Sequence, residues 1–208
     1  MMKAAAIDRC VDVADQGIVV PPTRPRALAG DPGVWLFIAA DVAAFGLFFL
    51  LFTWGRMHAP EVYESSRQAL DARLGLANTL ILVTSGWFMA LAVDAARERA
   101  RTRTVRCLAL AMLVGSAFAV TKVVEYTGKI QAGISMLTNE FFMYYFVFTG
   151  IHFIHFLAGM VVLAVCLHKA RTQALDEGCQ RWITSSACYW HMVDLLWIVL
   201  FPLLYLQR

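Results

Sequence analysis

The 208-residue chain is 60% hydrophobic and only 16% charged. Soluble globular proteins are usually about 45–50% apolar and about 25% charged, so a soluble domain of this size could not bury so much apolar surface. The net charge of +3 is too small to indicate nucleic-acid binding. None of the five cysteines form a C-x-x-C pair, so neither a disulfide framework nor a zinc motif is indicated. The composition indicates an integral membrane protein.

Five segments are long and apolar enough to cross a membrane. A helix needs about 20 residues to cross a hydrocarbon core about 30 Å thick, whereas a tilted barrel strand needs about 10. The segments show no sustained alternation of apolar and polar residues, which would be typical of a barrel. The sequence therefore predicts an all-α, polytopic membrane helix bundle preceded by a cytoplasmic tail over residues 1–32. The five predicted spans are residues 33–54, 74–93, 105–126, 141–167 and 185–206.

The loops between these spans differ in basic residues. The side that carries the N-terminus has twelve Lys and Arg residues, and the opposite side has five. The positive-inside rule then predicts a cytoplasmic N-terminus and an external C-terminus. An arginine cluster over residues 97–106 dominates this bias, and a lipid or partner site there is the alternative interpretation. Aromatic residues near span ends, including Tyr205, are interpreted as interfacial anchors.

Several ionisable residues lie inside the predicted spans, where each costs at least about 2.5 kcal/mol at the bilayer centre. They are Asp41 in the first span, Lys122 and Glu125 in the third, His152 and His155 in the fourth, and His191 and Asp194 in the fifth. The last six form three pairs of residues three positions apart, so each pair shares one helix face. We expect these six to form one buried polar network that joins spans three, four and five.

Asp41 has no partner on its own helix, and we expect it to be separate from the network. It is either a satisfied buried carboxyl group or the partner of a group on another span or subunit. The network itself has three interpretations: hydrogen bonds that fix helix packing, a proton-handling role, or a metal site. The chain lacks the repeated Glu-x-x-His motif of di-metal bundles and contains no H-E-x-x-H motif. The sequence therefore predicts no catalytic, cofactor-binding or metal-binding residue.

Motifs in all five spans resemble one known family in the same order along the chain. They are GVWLFIAADVAAFGLFF (33–49), ANTLILVTSG (77–86), KVVEY (122–126), FVFTGIHFIHFLAGMVVL (146–163) and YWHMVDLLWIVLF (189–201). Together they resemble cytochrome oxidase subunit III. That resemblance implies a helical membrane subunit without haem or copper, docked beside a catalytic haem–copper subunit and in contact with phospholipids.

Three features depart from the family pattern. The full-length family has seven helices, whereas this sequence has room for five. The family's membrane carboxylate is usually Glu, and Asp41 stands in its place here. Lys122 is also unusual, because the family often has an uncharged residue at that position.

Residues 138–146 (TNEFFMYYF) and 191–206 (HMVDLLWIVLFPLLYL) resemble the short branch associated with bacterial nitric oxide reductase, the NorE type. By that resemblance the chain would support reductase assembly or activity during denitrification, in the inner membrane of a bacterium. The alternative is subunit III of a respiratory cytochrome c oxidase, which supports proton uptake in aerobic electron transport. A further alternative is an independent membrane transporter or metalloenzyme.

Overall fold

A computed structural model describes residues 30–206, which form six α-helices and a terminal π-helical turn, with no strand in that part of the chain. The all-α prediction is confirmed. The predicted tail up to residue 29 lies outside the described residues. The helices are α1 (Pro32–His58), α2 (Pro60–Arg67), α3 (Ala72–Arg97), α4 (Arg101–Gln131), α5 (Glu140–Thr172) and α6 (Glu177–Phe201), followed by the π-helical turn Pro202–Leu206.

Five of these helices are long and apolar enough to cross a membrane. One of them is α6, which continues through the π-helical turn to give a 30-residue helix. The other four contain 27, 26, 31 and 33 residues. Each contains one predicted span and extends beyond it at one or both ends. Residues 30–206 therefore form the five-helix bundle of a multi-pass membrane protein.

The short helix α2 was not predicted. It begins at Pro60, whose fixed φ suits the first turn of a helix, and it leads back toward the start of α3. Its Glu64 and Arg67 form an ion pair of 2.6 Å at the surface. The hydrogen bond from Arg67 lowers the pKa of Glu64 below its ordinary value.

Polar residues mark most of the helix ends. The side chains of Asp31, Asp71, Asn139 and Asp176 accept hydrogen bonds from the first backbone N–H groups of α1, α3, α5 and α6. Gly133, with a φ of 75°, follows α4 and allows Ile134 N to donate to the carbonyl of Lys129 at 2.9 Å. Short connections join α3 to α4, α4 to α5 and α5 to α6, and α2 lies within the longer connection from α1 to α3. Successive long helices run in opposite directions.

Helices α3 to α6 form the compact part of the bundle, and α1 packs on α5 and α6 with much of its surface exposed. Its inward residues are phenylalanines: Phe45 and Phe52 are buried, and Phe52 packs against Tyr144 and Phe148 of α5. The exposed apolar side chains of the five long helices are suited to contact with lipid. This explains why so hydrophobic a chain leaves much of its apolar surface exposed.

The indole of Trp190 in α6 is the point at which four helices meet. Its ring is fully buried, and its N–H donates to Ser85 Oγ of α3 at 3.2 Å. Ser85 in turn donates to the carbonyl of Ala111 in α4 at 2.8 Å. A Cβ atom at Gly159 of α5 would lie 2.8 Å from the indole, and one at Gly115 of α4 would lie 3.2 Å from it. Small residues at these two positions therefore make room for the largest side chain.

Candidate functional site

A buried ion pair lies within α4, toward the end that meets the C-terminal turn. Lys122 Nζ is 2.8 Å from Glu125 Oε2, and both side chains are almost fully buried. The hydroxyls of Tyr145 and Tyr205 donate to the other carboxylate oxygen at 2.8 and 2.7 Å. Both oxygens of the carboxylate are therefore paired, as a charge buried at this depth requires.

The ammonium group of Lys122 is enclosed as completely as the carboxylate. Nζ also donates to Tyr205 Oη at 3.2 Å and lies 4.5 Å from the centre of the Trp197 ring. A carboxylate, a hydroxyl and a ring face thus replace water around the charge. Tyr205 is 1% exposed, so its interpretation as an interfacial anchor is wrong.

His152 is fully buried and does not contact this ion pair directly. Its Nε2 lies 3.0 Å from the carbonyl oxygen of Val193 in α6. A carbonyl only accepts hydrogen bonds, so Nε2 carries the hydrogen and donates it. Nδ1 has no hydrogen-bond partner among the described residues, and the ring packs between Phe118 and Trp197. His152 therefore ties α5 to the backbone of α6.

His155 points to a different neighbour, the first helix. Its Nε2 lies 3.2 Å from Asp41 Oδ1, and both side chains are largely buried. Its Nδ1 lies 2.9 Å from the carbonyl of Ile151, so Nδ1 carries a hydrogen. The pair is then either an imidazolium with a carboxylate, or a neutral imidazole that accepts a hydrogen bond from a protonated carboxyl group. One proton is shared between the two side chains in either case.

The third pair lies on α6 at the outer surface of the bundle. His191 Nδ1 is 3.7 Å from Asp194 Oδ2, which exceeds an ordinary hydrogen-bond length. The Asp194 side chain is buried, whereas that of His191 is 47% exposed. Gly86 of α3 lies directly behind the carboxyl group, and a Cβ atom there would collide with Asp194 Oδ2.

The six residues expected to form one network form separate contacts instead, and Asp41 is joined to one of them. Residues three apart on a helix differ by about 60° in direction. That difference is enough to turn His152 toward α6 and His155 toward α1, since α5 lies between those helices. His191 is half exposed on the surface of α6 and is not part of a buried group. Within-helix spacing places Lys122 beside Glu125 and His191 beside Asp194, but it does not join the pairs.

We expect the Asp41–His155 contact to couple α1 to the bundle measurably. The variants Asp41→Leu, His155→Leu and the double variant would form a cycle, read out as the free energy of unfolding in mixed micelles. A coupling of about 0.6 to 1.7 kcal/mol is expected, the range found for polar pairs in membrane helices. Strict additivity of the two single effects would show that the 3.2 Å contact contributes nothing.

These arrangements determine which chemistry the site can support. The Lys122–Glu125 cluster is closed on all sides by aromatic side chains, which suits a structural role. The Asp41–His155 pair can hold a proton in either of two positions, so it retains the proton-handling interpretation. Among residues 30–206, no three His, Cys, Asp or Glu side chains converge on a point that could hold a metal ion.

The five long helices and the polar contacts between them define a polytopic α-helical membrane protein. Residues 29–207 match the family model described as cytochrome c oxidase subunit III. Cytochrome c oxidase subunit 3 of Danio rerio is 30% identical over 200 residues, which cover 91% of this chain and 73% of that protein. Cytochrome c oxidase subunit 3 of Aedes aegypti is 28% identical over 193 residues, covering 88% of this chain and 71% of that protein.

A longer relative from Aeropyrum pernix is named heme-copper oxidase subunit I+III. It is 28% identical over 184 residues, which cover 83% of this chain but only 22% of that protein. The chain belongs to the cytochrome c oxidase subunit III family, as the ordered motifs of the five spans indicated. The named relatives are oxidase subunits, so they support the oxidase alternative better than the nitric oxide reductase hypothesis.

Proposed function

We propose that this chain is a non-catalytic subunit III of a haem–copper cytochrome c oxidase, docked in the membrane beside the catalytic subunit. The observation that carries the proposal is the family match over residues 29–207, which includes all five long helices. Polar pairs that tie helices together, rather than a converging set of ligands, also suit a supporting subunit. The redox metals would belong to the partner.

The partner is inferred from the longer relative. Its name joins subunits I and III in one protein, and this chain matches one part of it. Two units that occur in one polypeptide are expected to lie side by side in the membrane. The catalytic subunit of a haem–copper enzyme is therefore the expected neighbour of this chain.

The nitric oxide reductase branch remains the second candidate. It is supported by the resemblance of residues 138–146 and 191–206 to the short form of the family. The two candidates share the same type of partner, because both place the chain beside a haem–copper catalytic subunit. They differ in the reaction that the partner catalyses, which is the reduction of oxygen or of nitric oxide.

The proposed location is the inner membrane of a bacterium, with the N-terminus in the cytoplasm. The α3–α4 turn and the start of α4 carry Arg97, Arg99, Arg101, Arg103 and Arg106 on the side from which α1 begins. Basic loops remain on the cytoplasmic side during insertion. An odd number of crossings then leaves the end of α6 outside.

Purification of the tagged chain from its native membranes in a mild detergent tests the proposed function. We expect a haem–copper catalytic subunit to co-purify in stoichiometric amount and to consume oxygen when supplied with reduced cytochrome c. Co-purification of a subunit that reduces nitric oxide would replace this proposal with the second candidate. Recovery of the chain alone, with stoichiometric iron, copper or zinc by elemental analysis, would instead favour an independent metalloenzyme.

A further inference from the structure

An open groove of about 400 Å³ runs along the outer surface between α3 and α6. Its lining is almost entirely apolar, and the two polar residues in it are His191 and Asp194. The apolar lining consists chiefly of Val83, Trp87, Ala90, Leu195 and Ile198. In a membrane, the apolar residues of this groove can face lipid and need no protein partner. The two polar residues cannot be satisfied by lipid in the same way.

The bounds of α3 and α6 are expected to place the polar pair near the middle of the membrane. Gly86 is 14 residues after the start of α3 and 11 before its end, and Asp194 is 12 residues before the end of the π-helical turn. At about 1.5 Å per residue, these separations place the pair roughly 16 to 21 Å from both ends of α3 and from the end of the π-helical turn. Lipid headgroups and bulk water are therefore out of reach of the carboxyl group.

Asp194 is incompletely paired at that depth. The residue is only 6% exposed, yet its Oδ1 has no hydrogen-bond partner among the described residues. His191 Nδ1 is 3.7 Å from the other oxygen, which exceeds an ordinary hydrogen-bond length. The carboxyl group of Asp194 packs against Gly86 of α3, in the space that a side chain at position 86 would fill. Its position therefore depends on glycine at that point of α3. Oδ1 is enclosed within this chain, which leaves Oδ2, beside His191, as the oxygen that a group in the groove could pair. A carboxyl oxygen accepts hydrogen bonds whether or not the group is ionised, so the matching group is a donor.

We propose that this groove receives a transmembrane helix of the catalytic haem–copper subunit, which places a hydrogen-bond donor against Asp194. The proposal rests on the function proposed above. An acyl chain brings no donor, whereas polar side chains in membranes are satisfied by hydrogen bonds from neighbouring helices. The apolar side chains beside the pair match the surface of such a helix. The fused relative supports the catalytic subunit as the occupant, in preference to a second copy of this chain.

Bulky substitutions in the groove test the docking without disturbing the interior. Ile198 is 44% exposed, so Ile198→Trp should leave the fold intact while it fills the groove. We expect the amount of catalytic subunit recovered with the tagged chain to fall at least about tenfold. Leu113→Trp is the matched control, because Leu113 is 68% exposed on α4 and lies outside the groove. Helical content and thermal stability of each variant would be compared with those of the unsubstituted chain.

The donor is tested by two substitutions of the carboxyl group itself. Asp194→Leu removes both acceptor oxygens and should reduce recovery of the catalytic subunit to the level of Ile198→Trp. Asp194→Asn keeps one carbonyl oxygen of the same shape and should restore most of the recovery. A merely structural role of Asp194 would lower thermal stability in Asp194→Leu and leave Ile198→Trp without effect on docking.

The outcomes separate this inference from the proposed function. If the unsubstituted chain recovers the catalytic subunit and Ile198→Trp recovers as much, the groove is not the docking site, although the proposed function stands. Equal losses in Ile198→Trp and Leu113→Trp would also overturn it. Loss of a self-dimer in Ile198→Trp, with the catalytic subunit retained, would assign the groove to a second copy. If even the unsubstituted chain recovers no catalytic subunit, the proposed function fails and the inference fails with it.

Discussion

Replacing Glu125 with leucine is expected to lower the free energy of unfolding by about 3 to 5 kcal/mol, because it leaves the Lys122 ammonium buried without a counter-charge. Only neutral groups would remain beside Nζ: the Tyr205 hydroxyl and the rings of Trp197, Tyr126, Tyr145 and Tyr205. Unfolding by SDS in mixed micelles, followed by tryptophan fluorescence, would measure the loss. A loss of this size would exceed the roughly 2 kcal/mol expected from the two tyrosine hydroxyls that lose their acceptor.

The double variant Lys122→Met/Glu125→Leu provides the decisive comparison. Apolar replacement of both members of a buried ion pair is often close to neutral, although the hydroxyls of Tyr145 and Tyr205 would lose their acceptor at about 1 kcal/mol each. We therefore expect the double variant to be more stable than Glu125→Leu by at least about 1 kcal/mol. A double variant that is less stable than the single one would contradict this account.

The Glu64–Arg67 pair of α2 is the matched control for these experiments. It has the same three-residue spacing, but the Glu64 side chain is 42% exposed. Water replaces the lost partner of a surface ion pair. Glu64→Leu should therefore leave the unfolding curve unchanged, and a loss as large as that of Glu125→Leu would mean that burial is not the cause.

Replacing Trp190 with alanine is expected to cost about 3 kcal/mol of unfolding free energy, the lower end of the range for large aromatic residues. The lower end applies because the unfolded helices stay in lipid, so that the lost stability comes from packing and not from transfer out of water. The cavity would lie among four helices, and Ser85 would lose the indole N–H as its donor. The same unfolding measurement applies.

Two matched comparisons test the role of packing around the indole. Trp182→Ala removes the same side chain from the same helix, but Trp182 is 51% exposed and should tolerate the change. Gly159→Val forces a side chain against the Trp190 ring, whereas Gly150→Val on the same helix enters open space. We expect a loss of about 1 to 3 kcal/mol for Gly159→Val and none for Gly150→Val. Equal effects at the two glycines would show that helix propensity, and not the indole, controls the outcome.

The sequence predicts the number and approximate bounds of the membrane helices because the thickness of the bilayer imposes a minimum length on each apolar segment. It also predicts contacts within one helix, since a spacing of three places Lys122 beside Glu125 whatever the surroundings. Both predictions depend only on local geometry. Neither requires knowledge of how the helices are arranged around one another.

Contacts between helices could not be predicted in this way. The rotation of α5 decides that His155 meets Asp41 while His152 meets Val193, and no pattern in the sequence specifies that rotation. The position of Tyr205 at the end of an apolar segment predicts an interfacial anchor. The π-helical turn that begins at Pro202 changes the direction of later side chains and brings its hydroxyl to Glu125 instead.

The contact between Asp41 and His155 has a consequence for biogenesis. The two residues are 114 positions apart in the sequence, so three further helices must be synthesised before the partner of Asp41 exists. At about 5 to 20 residues per second, the first helix waits roughly 6 to 23 seconds with its carboxyl group unmatched. The insertion machinery must therefore accept an acidic group in α1 before its partner exists, and the flanking run of leucines and phenylalanines supplies the hydrophobicity that makes this tolerable.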